Sequence, residues 1–214
     1  MGMAIGVILG DSDSKITYWD IESEVADAIH NIHQNPRSMP NLKMPKGVKG
    51  EKNIAKAVMD ADMVVFSMAS PFVRQAGLQI KNHLPANCVV VVAAKGLERE
   101  SNMTMAQVLS ETLGGNFHDR IVVLSGPTLA PELAKLQPAA SMMASLKDNP
   151  YSKRAVSAFS NDWFRVYESR DVTGVELAGV GKHVVSLAAG LLGGLGYGFN
   201  TCSWVLTEGF RDIS

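Results

Sequence analysis

The chain has 214 residues, 46% hydrophobic and 19% charged, enough apolar content to bury a core and too much for disorder or low complexity. Its 20 Lys and Arg nearly balance 21 Asp and Glu for a net charge of −1, so no overall field favours nucleic acid or an anionic membrane. Any anionic ligand must be held by local groups.

The opening run, MGMAIGVILG at 1–10, has the length of a signal-peptide apolar region. No basic residue precedes it and the acidic Asp11 and Asp13 follow, so it reads as a helix over 2–10. A strand at 15–19 and a helix at 21–33 come next, and 35–50, rich in Pro and Lys, reads as a surface connection. From there helices are expected at 53–61, 72–83, 103–113 and 129–136. Strands are expected at 63–67, 87–93, 121–124 and 138–144. Asn149 is a good N-cap with Pro150 at the first helical position, and that helix leads to a last strand at 164–168. This order implies an α/β fold with a Rossmann-like, doubly wound, mostly parallel sheet. Cys88 opens the central apolar run CVVVVAA, far from Cys202, and reads as a packed thiol in a reducing, cytoplasmic setting.

Composition changes near Asp171. Eight of the nineteen glycines fall within 174–198 while charges thin out, which divides the chain into a dinucleotide-binding region, 1–171, and the start of an all-helical region, 172–214. The uncharged stretch 184–207 is long enough to span a bilayer, but its five glycines and Asn200 fit a buried helix hairpin better. The glycines at 193, 194, 196 and 198 do not follow a strand, so they read as a break between helices and not as a phosphate loop. The five histidines show no metal-ligand spacing; His30 and His33 share a helix face without a carboxylate or thiolate cluster and read as surface residues.

A parallel sheet of this class normally begins with a strand feeding a Gly-rich turn, whereas here the alternation opens on a helix. The expected sheet therefore lacks its first strand, and the chain reads as truncated at its front. On that reading Gly2 is the third glycine of a GxGxxG fingerprint. Asp20, about 18 residues on at the end of the next strand, is then the acid that accepts hydrogen bonds from the adenosine ribose and repels a 2′-phosphate. The same acid serves equally as a turn or cap residue.

Four later fragments sharpen this: ASPFVRQ from Ala69, AAKGLE from Ala93, LSGPTLAPE from Leu124, and GVELAGVGKHVVSLAAGLLGGLGYGFN from Gly174. In order and spacing they resemble the NAD(P)-dependent glycerol-3-phosphate dehydrogenases, with their PS-x-x-x-R, KG-[IV]-E, SGPS-x-A-x-E and GVEL-x-GALKN segments. The resemblance implies NAD-dependent interconversion of sn-glycerol 3-phosphate and dihydroxyacetone phosphate, with NAD preferred to NADP on account of Asp20. It also implies roles. Lys182 matches the general acid/base lysine, Lys95 a lysine at the substrate and nicotinamide, and Gly126 and Thr128 the substrate-contacting turn. Ala130 matches a cofactor-contacting alanine, and Phe72 sits where some members place an aromatic on the cofactor. The partner is a small-molecule substrate, and a homodimer of the full-length parent is left open.

The chemistry constrains the lysines whatever the family. A lysine in water titrates near ~10.4, so an acid/base lysine at neutral pH must be desolvated or set beside another cation. Lowering Lys182 by about three pKa units costs about 4 kcal/mol, to be supplied by burial and by Lys95. Two departures stand out. His183 replaces the asparagine after the lysine, and Phe199 replaces the acid before Asn200. They leave open a related dehydrogenase acting on another phosphorylated or hydroxy-acid substrate, and a non-catalytic remnant. Because the helical region stops early by the family's pattern, the chain by itself is expected to be inactive on glycerol 3-phosphate.

Overall fold

The computed structural model describes residues 1–10 and 14–213; Asp11 and Asp13, read above as closing the apolar opening run, and Ser214 lie outside the described residues. Helix α1 (Gly2–Gly10) is followed by β1 (Thr17–Trp19), α2 (Ser23–Ile32), β2 (Lys49–Glu51), α3 (Ile54–Val58), β3 (Met63–Phe66), α4 (Val73–Ile80) and β4 (Val89–Val92). Then come α5 (Met105–Leu113), β5 (Ile121–Ser125), α6 (Ala130–Leu133), β6 (Ala139–Ala144), α7 (Pro150–Phe159), β7 (Phe164–Ser169), α8 (Val172–Gly194) and α9 (Phe199–Ile213).

The β-branched runs pair as their composition suggests. Met63 lies opposite Val89 and Val90 opposite Ile121, both in parallel register, within a five-stranded sheet of order β3-β4-β5-β6-β7. All four valines of β4 are buried, as a strand covered on both faces requires, and Cys88 beside them is a buried free thiol. One pair breaks the parallel pattern, since β6 runs antiparallel to β5. The four residues of α6 advance the chain only about 6 Å, too short a helix to carry it back along the sheet. A second, two-stranded sheet joins β1 and β2 in parallel.

That second sheet corrects the reading of 35–50 as a surface connection only. The segment carries Lys49 and Gly50 of β2, and its Met44 and Val48 are buried with Val25, Ile29 and Met3. A three-residue strand reading Lys-Gly-Glu has no alternation for a sequence pattern to find. His33 is likewise half-buried and closes α2 in the left-handed conformation, φ 54°, where surface exposure was expected.

Helix starts follow the capping chemistry. Asn53 accepts from the backbone N–H groups of Ala55 and Lys56, Thr104 and Gln107 form a capping box, and so do Asn149 and Ser152 ahead of Pro150. Asp171, where the composition shifts, caps α8 by accepting from Gly174 N–H at 2.7 Å.

Helix α1 is apolar all round and buried from Met3 to Ile8, as such a helix must be. Ala4, Ile5 and Ile8 pack with Val89 and Val91 of the large sheet, while Met3 faces Val25 and Ile29 of the small one. The helix is thus the wedge that ties the two sheets together.

The C-terminal helices do form a hairpin. Gly181 lies against Ile213, and Gly209 against Val185. The expectation that it would be buried fails: Leu187 is 74% exposed and Phe199 92%, and Leu191, Leu195 and Trp204 are exposed as well. Composition reports that a face is apolar but not whether anything covers it. Among the described residues Val172–Gly194 is the one helix long and apolar enough to cross a bilayer by length and composition.

Gly50 tests the small sheet. A methyl group there would sit 1.8 Å from the backbone oxygen of Ala26, which no side-chain rotation relieves. Gly50→Ala should cost at least about 2 kcal/mol in urea unfolding, as overpacking against backbone does. Gly115→Ala, facing open space, should stay within about 0.5 kcal/mol of the parent.

Candidate active site

In an open α/β sheet the loops leaving the carboxyl ends of parallel strands converge on one edge. Lys95 comes three residues after β4, and Gly126 and Thr128 directly after β5, its parallel neighbour. The turn bearing Lys95 is tightly specified. Gly96 has φ +140°, a conformation that suits glycine, and a Cβ there would lie 2.5 Å from Ser70 Oγ. Two residues on, Glu98 receives a two-pronged grip from Arg74, Nε to Oε1 and Nη2 to Oε2, each at 2.7 Å.

Lys182 arrives from the other side, on α8. That helix approaches the end of β5 closely because position 179 is glycine: a Cβ there would stand 2.7 Å from Ser125 Oγ and 3.8 Å from Lys95 Cδ. One helical turn further, Lys182 Nζ donates to the Gly126 carbonyl at 2.5 Å. Gly126 is itself pressed on β6, where a Cβ would meet Ser141 Oγ at 2.4 Å.

The Lys95 and Lys182 side chains lie close enough for their charges to interact. Burial first, and then the Lys182 ammonium, push Lys95 down to about 8. Beside Lys95 opens a shallow cleft lined by Met1, Ile5, Ala93, Lys95, Gly126 and Thr128. A second hollow on the same lysine shares Ser125 with it and adds Gly96 and Glu176.

Glu176 is a site residue the sequence reading passed over, although it stands inside the quoted GVEL segment. It is 7% exposed, and its Oε1 accepts from the backbone N–H of Ala106 at 2.9 Å, in the first turn of α5. A carboxylate there meets the unpaired N–H groups and positive dipole end of that helix. The contact pins α8 to the start of α5. Burial raises the Glu176 pKa, opposed by hydrogen bonds from Thr104, Ala106 and Met105.

The remaining expected residues are spread more widely. Gly2 starts α1, and a Cβ on it would press on the Tyr18 hydroxyl at 3.3 Å, so the ring of Tyr18 covers that helix end. Asp20 follows β1 directly, and its Oδ1 accepts from Glu22 N–H at 3.0 Å, so it closes a turn just ahead of α2, one of the two local duties that the sequence left open. Phe72, 53% exposed, ends a short 3-10 turn after β3. Ala130 is half-buried at the start of α6 and packs on the core that contains α1. Neither His183 nor Phe199 meets the lysine pair. Both are exposed, and His183 is rotated about 100° around α8 from Lys182.

Two family models match the chain. One, described as the N-terminus of NAD-dependent glycerol-3-phosphate dehydrogenase, covers residues 1–150, and its C-terminal counterpart covers 171–214. Among curated relatives, a glycerol-3-phosphate dehydrogenase [NAD(P)+] of Leptospira biflexa is 36% identical over 213 residues. One of Corynebacterium urealyticum is 35% identical; each alignment covers 100% of this chain and 64% of the relative. The chain thus spans just under two thirds of the length of these curated relatives. A crystal structure of glycerol-3-phosphate dehydrogenase from Coxiella burnetii superposes with a TM-score of 0.89 at 27% identity, over 99% of this chain and 64% of that one.

The buried carboxylate supplies a pH test. Because the folded-state pKa of Glu176 is raised, its contribution to stability is complete below the unfolded value near ~4.3 and declines as pH rises through the folded value. Glu176→Gln keeps an acceptor for Ala106 without the charge. The melting temperature of the variant relative to the parent should therefore climb between pH 4 and pH 8. Glu176→Ala, which orphans the Ala106 N–H, should instead lose about 1–3 kcal/mol throughout.

Proposed function

The chain belongs to the NAD-dependent glycerol-3-phosphate dehydrogenase family, and from that premise we propose that its residues serve the interconversion of sn-glycerol 3-phosphate and dihydroxyacetone phosphate. In this reading residues 1–171 bind the dinucleotide and 172–214 begin the helical region that completes the site. The work is done in the cytoplasm on a small phosphorylated substrate. The observation that carries the reading is the contact of Lys95 with Lys182 beside the Gly126 turn, a basic pocket built where a carbonyl oxygen could take up a proton.

The residues suit the dinucleotide. The first N–H groups of α1 have no acceptor within their own helix and carry its positive dipole end, and Met1 beside them lines the cleft. Asp20 stands near enough to Tyr18 to raise the phenol pKa, after burial, and Tyr18 covers Gly2. A carboxylate for ribose hydroxyls and a helix end for the pyrophosphate are thereby set side by side. Ala130 and Phe72 complete the cofactor's surroundings in the reading. When bound, NADH supplies the hydride that arrives at the substrate's carbonyl carbon.

The chain's own residues handle the oxygen. As the carbon–oxygen π pair moves onto oxygen, Lys182 Nζ gives it a proton, and in the reverse direction the same nitrogen takes the proton back. Gly126 holds Lys182 through its carbonyl, and Gly126 and Thr128 border the place where the substrate lies. Lys95 places a second cationic group where negative charge grows on oxygen. The apolar wall of Ile5, Ala93 and Leu124 keeps water from the reacting carbon.

The test is NADH oxidation with dihydroxyacetone phosphate in an active protein carrying these residues. Lys182→Ala should lower kcat by about 10²- to 10⁴-fold with little change in NADH affinity, and a variant keeping more than about a third of the rate would remove Lys182 from the mechanism. In the same assay kcat/KM should favour NADH over NADPH, and Asp20→Ala should narrow the gap. A clear preference for NADPH in the parent would overturn the assignment of Asp20.

A further inference from the structure

Lys95 carries its charge on a long, flexible side chain, yet it is held against a second ammonium group that repels it. Something must keep its backbone from swinging away. The turn after β4 is gripped from one neighbouring segment. Ser70 backs Gly96 at a distance that leaves no room for a Cβ, and four residues later Arg74 forks onto Glu98. Ser101 Oγ donates to the same carboxylate at 2.6 Å, and Glu98 N–H donates to the Met103 carbonyl at 2.9 Å, which closes the turn on itself. Arg74 also reaches out of the turn, with Nη1 on Glu111 of α5 at 2.9 Å.

These two ion pairs differ in kind. The Glu98 side chain is 16% exposed and meets the guanidinium through two parallel bonds, the geometry that fixes orientation as well as distance. The Arg74 fork first and Ser101 second hold the Glu98 carboxyl down to about 2, so the pair stays intact across the working pH range. Glu111 is 52% exposed, binds through one nitrogen, and lies outside the Lys95 turn. Exposed single bonds of this sort contribute little.

We propose that Arg74 is a positioning residue for the basic pocket: its two-pronged hold on Glu98 fixes the turn that delivers Lys95 into contact with Lys182. Lysine cannot replace it, since an ammonium offers a point charge and no planar fork. The inference rests on the reading of Lys95 and Lys182 as one site, but its consequence is a property of the folded chain and needs no turnover.

The experiment is competitive acetylation of the folded chain with acetic anhydride across pH 6–11, with the modification of Lys95 read by mass spectrometry against exposed lysines. In the parent the Lys95 midpoint is expected near 8. Arg74→Lys should slacken the turn, release Lys95 into water and raise its midpoint toward the ordinary ~10.4, while a cooperative thermal transition shows that the fold persists. Glu98→Gln, which keeps the acceptor and loses the charge, should raise the midpoint in the same direction by less. Glu111→Gln should leave it where the parent has it. An unchanged Lys95 midpoint in folded Arg74→Lys overturns the proposal; should that variant not fold, an unchanged midpoint in Glu98→Gln does so. Equal shifts in the Glu98 and Glu111 variants also overturn it, because they would make Arg74 a general stabiliser. Failure of Lys182→Ala to slow dihydroxyacetone phosphate turnover in an active protein carrying these residues, with the labelling pattern as expected, would strike the functional reading and leave this inference standing.

Discussion

Two ammonium groups set close together repel, and the fold around Lys95 and Lys182 is arranged to withstand that force. It does so with backbone and not with counter-charge. Gly96 lies against Ser70, Gly126 against Ser141 and Gly179 against Ser125, each too close to admit a Cβ. The chain therefore reaches the pocket from β4, β5 and α8 along three approaches that cannot widen without breaking packing. Burial first, and the neighbouring Lys182 charge second, lower Lys95 to about 8, so part of the charge is shed near neutral pH.

The same constraint explains where the acids are. No carboxylate joins the lysines directly in a hydrogen bond among the described residues; Glu98 and Glu176 act one step away, on the turn and on α8. Glu98 is held by Arg74, and Glu176 occupies the first turn of α5. Both hold the segment from Lys95 to Ala106, one near its start and one at its end. A carboxylate placed between the lysines would have neutralised the charge that an anionic substrate or a growing oxyanion needs. Held back, the acids contribute rigidity and leave the pocket basic.

Around this pocket the architecture is economical. The parallel strands β3, β4 and β5 send their loops to one edge, and α1, buried on every side, wedges the small β1–β2 sheet against the large one. Its N-terminal end then faces the same cleft as Lys95. The exposed apolar surface lies elsewhere, on the α8–α9 hairpin, where Leu187 and Phe199 face outward while Gly181 and Gly209 make the contact between the helices.

The sequence by itself determined the alternation of strands and helices, the N-cap at Asn149, the break at 193–198, and the family through four short motifs, because each is a local matter of periodicity, capping or residue spacing. It singled out Lys95, Lys182, Gly126 and Thr128 as candidates for the same reason, each lying within one motif. It missed β2, whose three residues carry no pattern, and the antiparallel turn of β6, which follows from how little distance α6 covers. The burial of each apolar face, the lowering of Lys95 by burial, and the roles of Arg74, Glu98 and Glu176 were decided only by tertiary structure. Desolvation and repulsion depend on distances across the fold between residues 24, 70 and 87 positions apart, and those distances are set by how α4, α5 and α8 pack around the ends of the strands.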